Sequence, residues 1–213
     1  YARALLFYEE YRSVAQGIGI GLVVLLLAVP GYLYYQQQQQ EVANEKLGQI
    51  LPVYEQQNYQ RALEGSGEQA GLVAIARDYG GTEAGNLAAF YAGNALYQQG
   101  EYDRALTYFQ QFEKERTFIG ASAYAAQAAI QENQGNFERA GALYEQAAAQ
   151  YENKLTAPRY LLSAGQAYEE AGRYEAAMGA YQRIQDEYPE SGQANDAERY
   201  MARAEVRRDA TSS

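Results

Sequence analysis

Gly100-Glu-Tyr-Asp-Arg-Ala-Leu-Thr-Tyr-Phe109 returns, little changed, as Gly135-Asn-Phe-Glu-Arg-Ala-Gly-Ala-Leu-Tyr144 and again as Gly172-Arg-Tyr-Glu-Ala-Ala-Met-Gly-Ala-Tyr181. The three glycines stand about 35 and 37 residues apart, close to the ~34-residue period of a stacked helix–turn–helix repeat. Such a unit cannot bury its apolar face alone, so its neighbours must complete the core. Between the phrases, small and aromatic residues recur at helical spacing, and the composition (four prolines, much Ala, Glu and Gln) favours helix. The chain is therefore expected to be all-α, and to present a surface rather than a catalytic cleft.

Composition removes most chemistry. The chain has no cysteine and no histidine, which excludes disulfides, the usual zinc sites, cysteine nucleophiles and histidine-based triads. Glu113 with Glu115, or Asp78 with Glu83, are the nearest approach to an acid–base pair, and nothing in the sequence puts them in a cleft. No enzyme activity, cofactor or metal is expected. Net charge is −10, nearly all of it after residue 40, because Arg3 and Arg12 cancel Glu9 and Glu10. An acidic domain of this kind repels nucleic-acid phosphates and anionic bilayer surfaces.

The N-terminal region reads differently. Ser13 to Gln40 contains no charged residue, and Val14 to Tyr35 is almost wholly apolar. About 20 such residues cross a ~30 Å hydrocarbon layer as a helix. Tyr32, Tyr34 and Tyr35 sit where an aromatic belt belongs, and Pro30 falls in the last turns. The stretch is longer than the apolar region of a secretory signal, and no small-residue cleavage site follows it, so a retained anchor is expected. Arg3 and Arg12 precede it and the first basic residue after it is Lys46, which favours the large domain outside the cytoplasm. Ala15, Gly17, Gly19 and Gly21 form two small-xxx-small pairs suited to packing against another membrane helix. Glycine is also simply common in membrane helices. A nucleotide-binding reading of these glycines fails for want of a preceding strand.

The expected organisation is a cytoplasmic flank at 1–12, a transmembrane helix at 13–36, and a stalk with a degenerate first repeat at 37–81. Three repeats follow at 82–190, then a capping helix and tail at 191–213. Within the stalk, Glu41–Tyr54 reads as a helix with Val42, Leu47, Ile50 and Leu51 as its apolar stripe. Asn58-Tyr-Gln-Arg-Ala-Leu63 is a degenerate copy of the repeated phrase, and Gly65-Ser-Gly67 is a break. Gly71 to Tyr79 is a short helix. In the final helix Ala194, Ala197, Tyr200, Met201 and Ala204 make the apolar stripe, with Arg199, Arg203, Arg207 and Arg208 on other faces. Those arginines fit either a solvated cap or a basic docking site.

The three clear units resemble tetratricopeptide repeats. Ala92-Gly93, Leu96, Ala105 and Phe109 occupy the small and large slots of the first unit. Ala128, Gln131, Ala140 and Tyr144 occupy those of the second, where Gln131 stands in place of an apolar residue. Ala164-Gly165, Tyr168, Ala177 and Tyr181 fill the third. With the anchor, the stalk and Gly71-Leu…Arg-Asp-Tyr-Gly-Gly-Thr-Glu-Ala-Gly-Asn-Leu-Ala-Ala-Phe-Tyr-Ala-Gly93, the whole chain resembles bacterial inner-membrane tetratricopeptide proteins. In particular it is similar to the family of the ancillary Sec-translocon subunit. That resemblance implies a single-pass inner-membrane protein with its repeats in the periplasm. It also implies contacts with a membrane complex through both the span and the repeats, with periplasmic clients or chaperones as further partners. A translocon-associated chaperone-like adaptor is favoured. A fixed accessory or assembly subunit of a larger respiratory or transport complex is the alternative. In a tetratricopeptide array the first helix of each unit lines the concave face. Here that groove would hold Phe90, Asn94 and Tyr97, then Ala125, Ala129 and Glu132, then Leu162, Gln166 and Glu169. Aromatic groups ringed by acidic ones suit a polypeptide with some basic character. Ordinary interhelix packing is the competing account of Phe90 and Tyr97.

Overall fold

The computed structural model describes the backbone of residues 2–211 and the side chains of residues 26–211. A long helix, α1 (Ala2–Glu55), leads into α2 (Tyr59–Glu64), a small hairpin of β1 (Gly65–Ser66) and β2 (Gln69–Ala70), and α3 (Leu72–Asp78). Three antiparallel helix pairs follow: α4 (Glu83–Gln98) with α5 (Tyr102–Gln111), α6 (Phe118–Asn133) with α7 (Phe137–Gln150), and α8 (Ala157–Glu170) with α9 (Tyr174–Glu187). A last helix, α10 (Ala194–Thr211), closes the array.

The repeated glycine has a mechanical explanation. Gly100, Gly135 and Gly172 have φ of 78°, 77° and 69°, the left-handed region that a side chain resists. Each ends the first helix of its unit with the same pair of bonds. Gly100 N–H donates to the Tyr97 carbonyl at 3.0 Å, and Glu101 N–H reaches back to that of Leu96 at 2.9 Å. The second and third units repeat this, with Asn136 bonded to Gln131 and Arg173 to Tyr168, each at 2.8 Å. These paired bonds satisfy carbonyls that a helix end would otherwise orphan. The degenerate copy is a true copy: Gln57 N–H donates to Tyr54 at 2.8 Å and Asn58 N–H to Val53 at 3.2 Å. There Gln57 takes the glycine's place at φ 61°, the one non-glycine residue with positive φ among the described residues.

Small residues set the helix spacing. A Cβ on Gly93 would fall 3.0 Å from the Phe109 ring, and one on Gly165 would fall 2.2 Å from that of Tyr181. The aromatic knob of each second helix thus rests on the backbone of the first, as the slots require. A third close approach was not expected: Gly141 on α7 receives the Tyr168 ring of the following unit, at 2.6 Å from a notional Cβ. Gln131 is buried but not orphaned. It accepts from Asn136 Nδ2 at 3.2 Å and donates to Gln134 Oε1 at 3.3 Å, so the turn supplies the partners an apolar residue would not need.

The first unit departs from the pattern after α2. Its second helix is interrupted by the hairpin and α3 then packs along α4, as α7 packs along α8. A side chain at Gly65 or Gly71 would strike Gln69 or Leu63 backbone atoms within 2.2 Å, so the hairpin closes only around glycine. Gln69 clasps it to α1 through the Gln49 carbonyl at 2.7 Å. The apolar stripe of the stalk keeps Leu47 and Ile50 buried as expected and differs at its ends: Ala43 is buried in place of the exposed Val42, and Leu51 is only half-buried.

The flank at 1–12, the packing residues Ala15, Gly17, Gly19 and Gly21, and most of the expected span lie outside the residues whose side chains are described. Among the described residues no helix is long and apolar enough to cross a membrane. The described end of the expected span is open to its surroundings: Leu26, Leu27, Val29 and Leu33 are 71%, 73%, 51% and 57% exposed. α1 continues without a break from there into the buried turns of the first unit.

Candidate binding face

The apolar interior divides into two clusters. One runs from Ala43 to Ile130 and the other from Ala128 to Ala204. They part along α6, which gives Ala123 and Ile130 to the first and Ala128 to the second; α5 and α6 themselves touch over a short seam, in contrast to the long α7–α8 contact. Polar clasps bridge the shallow seam. Gln127 donates to the Phe109 carbonyl at 3.3 Å, Gln134 to Asp103 at 2.9 Å, and Gln150 to the Lys114 and Glu115 carbonyls at 2.8 and 2.6 Å. The cap of α6 is Thr117, whose hydroxyl accepts from Gly120 N–H at 3.1 Å, matching Thr82 and Gly85 at α4.

The expected groove residues separate into three groups. Phe90 belongs to an aromatic cluster with Tyr91, Phe109 and Phe112, with ring centroids 5.8, 6.0 and 5.5 Å away. It is interhelix packing with a half-exposed edge. Asn94 spends its amide on the Phe90 carbonyl of its own helix at 3.2 Å, and Tyr97 stacks on Tyr102 at 5.5 Å. Ala125, Ala129, Glu132 and Leu162 remain partly exposed and Gln166 fully so.

Glu169 is not a groove residue. Its side chain is 1% exposed and lies beneath α10. Arg203 grips it with Nε at 3.0 Å and Nη2 at 2.7 Å, Arg207 adds a bond at 3.3 Å, and the Tyr181 hydroxyl donates to it at 2.8 Å. The same contacts tie the partly exposed Arg203 and Arg207 to a carboxylate of the array itself, so through them α10 acts as a cap. A buried carboxylate tolerates this position only because its acceptor sites are filled by charged donors.

The tyrosine–glutamate pair recurs. Tyr144 donates to Glu132 at 2.8 Å, and Tyr168 donates to Glu145 at 2.9 Å. Burial, and then the neighbouring carboxylate, push the Tyr144, Tyr168 and Tyr181 phenols well above their ordinary pKa. All three hydroxyls therefore stay protonated and act as fixed donors at neutral pH. The sequence carried a signal for the first pair that went unread: Glu132 and Glu169 occupy one repeat slot, each with a tyrosine twelve residues on. The arginines that complete the second copy had no such signal.

The carboxylates with the best claim to chemistry are set apart. Asp78 pairs with the adjacent Arg77 at 2.7 Å on the surface. Glu113 is tied to Asn86, which accepts from its backbone N–H at 2.7 Å and donates to its carbonyl at 3.2 Å. Among the described residues no group of three acidic side chains is placed to hold a metal ion. A depression of about 720 Å³ beside Phe137, Glu138 and Glu170 is wide open to solvent.

Two stretches match models of known families. A model described as Tetratricopeptide repeat covers residues 87–116, from α4 to the loop before α6. A second, of the same description, covers residues 125–192, from α6 to the loop after α9. Tetratricopeptide repeats are therefore recognised in this chain. The copy formed by α1 and α2, and the helix α10, lie outside both stretches. No curated protein matches the chain. Tetratricopeptide repeats are in general non-catalytic modules that bind other proteins.

Proposed function

We propose that this protein is a membrane-anchored tetratricopeptide scaffold that holds protein partners beside a bacterial inner-membrane complex, with the repeats in the periplasm. One observation carries the reading. The helix that begins the repeat array, α1, is continuous with the uncharged stretch 13–40, whose described apolar residues are exposed rather than packed. An apolar helix left open needs a nonaqueous neighbour, and a bilayer or another membrane helix supplies one. The small residues Ala15, Gly17, Gly19 and Gly21 favour a partner helix there. Resemblance to the ancillary Sec-translocon subunit family supports a translocon-associated, chaperone-like adaptor. A fixed accessory subunit of another membrane complex is the alternative.

Purification in mild detergent, with identification of the co-purifying chains, tests both. Recovery of translocon components with secreted clients at low occupancy is the expected result. Stoichiometric recovery with a single other complex would establish the alternative, and recovery of the full-length protein in the aqueous fraction would overturn the anchor.

A further inference from the structure

We propose that Glu132 and Tyr144 form a seat for a guanidinium on the concave face, and that its occupant is an arginine-bearing helical segment of another protein. This rests on the scaffold reading above and gives its partner a chemistry. The argument is internal to the molecule. Glu132 and Glu169 hold the same slot in consecutive units, and each accepts a 2.8 Å bond from its own unit's tyrosine. At Glu169 the remaining acceptor sites are filled by Arg203 and Arg207 of α10. α10 packs along α9 as α8 packs along α7. In α8 the positions equivalent to Arg203 and Arg207 are Gln166 and Glu170. Gln166 is exposed, and among the described residues no cation reaches the Glu132 carboxylate, whose one hydrogen bond comes from Tyr144. A carboxylate offers about four acceptor sites and a single phenol fills one.

The chemistry selects arginine over lysine. A guanidinium delivers two parallel donors to a carboxylate and lies flat on an aromatic face. Arg203 does both, with Glu169 beneath it and the Tyr200 ring 4.4 Å from its centre. At Glu132 the aromatic neighbour is Tyr144, whose hydroxyl donates to the carboxylate at 2.8 Å. The chain's net charge of −10 draws a basic segment toward this face.

The test uses the full-length protein and an alanine-based helical peptide with arginines four residues apart, alongside its lysine counterpart, in titration calorimetry. The arginine peptide should bind, the lysine peptide several-fold more weakly. Glu132→Gln, which keeps the tyrosine bond, should weaken the arginine peptide by at least tenfold. Gln166→Arg, at an exposed site, should place an internal guanidinium in the seat. It should raise Tm, lose that gain when combined with Glu132→Gln, and block the peptide. Equal binding to all three proteins, equal binding of the two peptides, or no rise in Tm would overturn the seat. A concentration-dependent dimer abolished by Glu132→Gln would overturn the assignment to another protein in favour of a second copy. Unchanged co-purification of partners with Gln166→Arg would sink the seat alone; no partner with the unmutated protein would sink the scaffold reading.

Discussion

Phe109 and Tyr181 hold the same slot in the first and third clear units, and both are fully buried. Phe109 rests on Gly93 among the rings of Phe90 and Phe112, so its surroundings are apolar throughout. Tyr181 rests on Gly165 but carries a hydroxyl, and a buried hydroxyl needs an acceptor. Glu169 supplies it, and Glu169 in turn needs Arg203 and Arg207. One oxygen atom thus propagates through a carboxylate to a whole helix. The N-terminal core is closed by Ala123 and Ile130 of α6, with no ion pair of this kind among the described residues. The C-terminal half is complete only with α10 in place, which explains why the cap is held by ions as well as by Ala197 and Ala204.

The largest difference between the halves is expected in alkali. Burial and the nearby Tyr59 and Tyr91 raise the Tyr54 phenol to about 12, and the C-terminal half has four raised phenols in Tyr144, Tyr168, Tyr181 and Tyr188. An unfolded tyrosine ionises near pH ~10. Their stabilisation is therefore fully present below that pH and is lost as pH rises through the raised folded values, about 12 for Tyr54. Following tyrosinate absorbance and protease cleavage sites together, the second cluster should open at lower pH than the first. Simultaneous opening of both would erase the distinction.

Glycine substitutions probe the same contrast. Gly165→Ala drives a Cβ to 2.2 Å from the Tyr181 ring and should cost about 3 kcal/mol, whereas Gly93→Ala meets Phe109 at 3.0 Å and should cost about 1 kcal/mol. Equal costs in urea melts would mean that the two knobs are held with equal slack. Glu169→Ala leaves Tyr181 without its acceptor and α10 without its anchor. With Arg203 and Arg207 partly exposed, the loss should be about 2–3 kcal/mol, and proteolysis should begin in α10. Glu132→Ala removes one partly exposed hydrogen bond and should cost about 1 kcal/mol at most. The smallest effect is a gain. Gln57→Gly relieves a left-handed residue in the degenerate turn and should stabilise the N-terminal cluster by about 1 kcal/mol. A loss there would mean that the Gln57 side chain contributes more than its backbone strain removes.

Much of the repeat architecture was legible because its requirements are local. A turn that needs positive φ selects glycine at residues 100, 135 and 172, and close helix crossing selects Ala92-Gly93 and Ala164-Gly165. The degenerate copy at residues 58–63 was readable for the same reason, although Gln57 hid its turn. The groove was less legible. Helical periodicity puts Glu132 and Glu169 on one face of successive helices and cannot say which of them meets arginines from the helix that follows. It likewise assigns Phe90 to a lining position without showing the three rings that surround it.

The sequence by itself determined the helical repeat, its turns, its exclusion of histidine and cysteine chemistry, and an uncharged N-terminal stretch set apart from an acidic domain. These follow from residue type and spacing, which act within one or two turns of helix. Only the tertiary structure decided that the break at Gly65-Ser-Gly67 closes as a hairpin clasped to α1. It also decided that the core parts along α6, and that arginines reach Glu169 and not Glu132. Each of those depends on which surfaces meet across many residues of chain. A buried charge reports its partner only when the partner's helix has been placed.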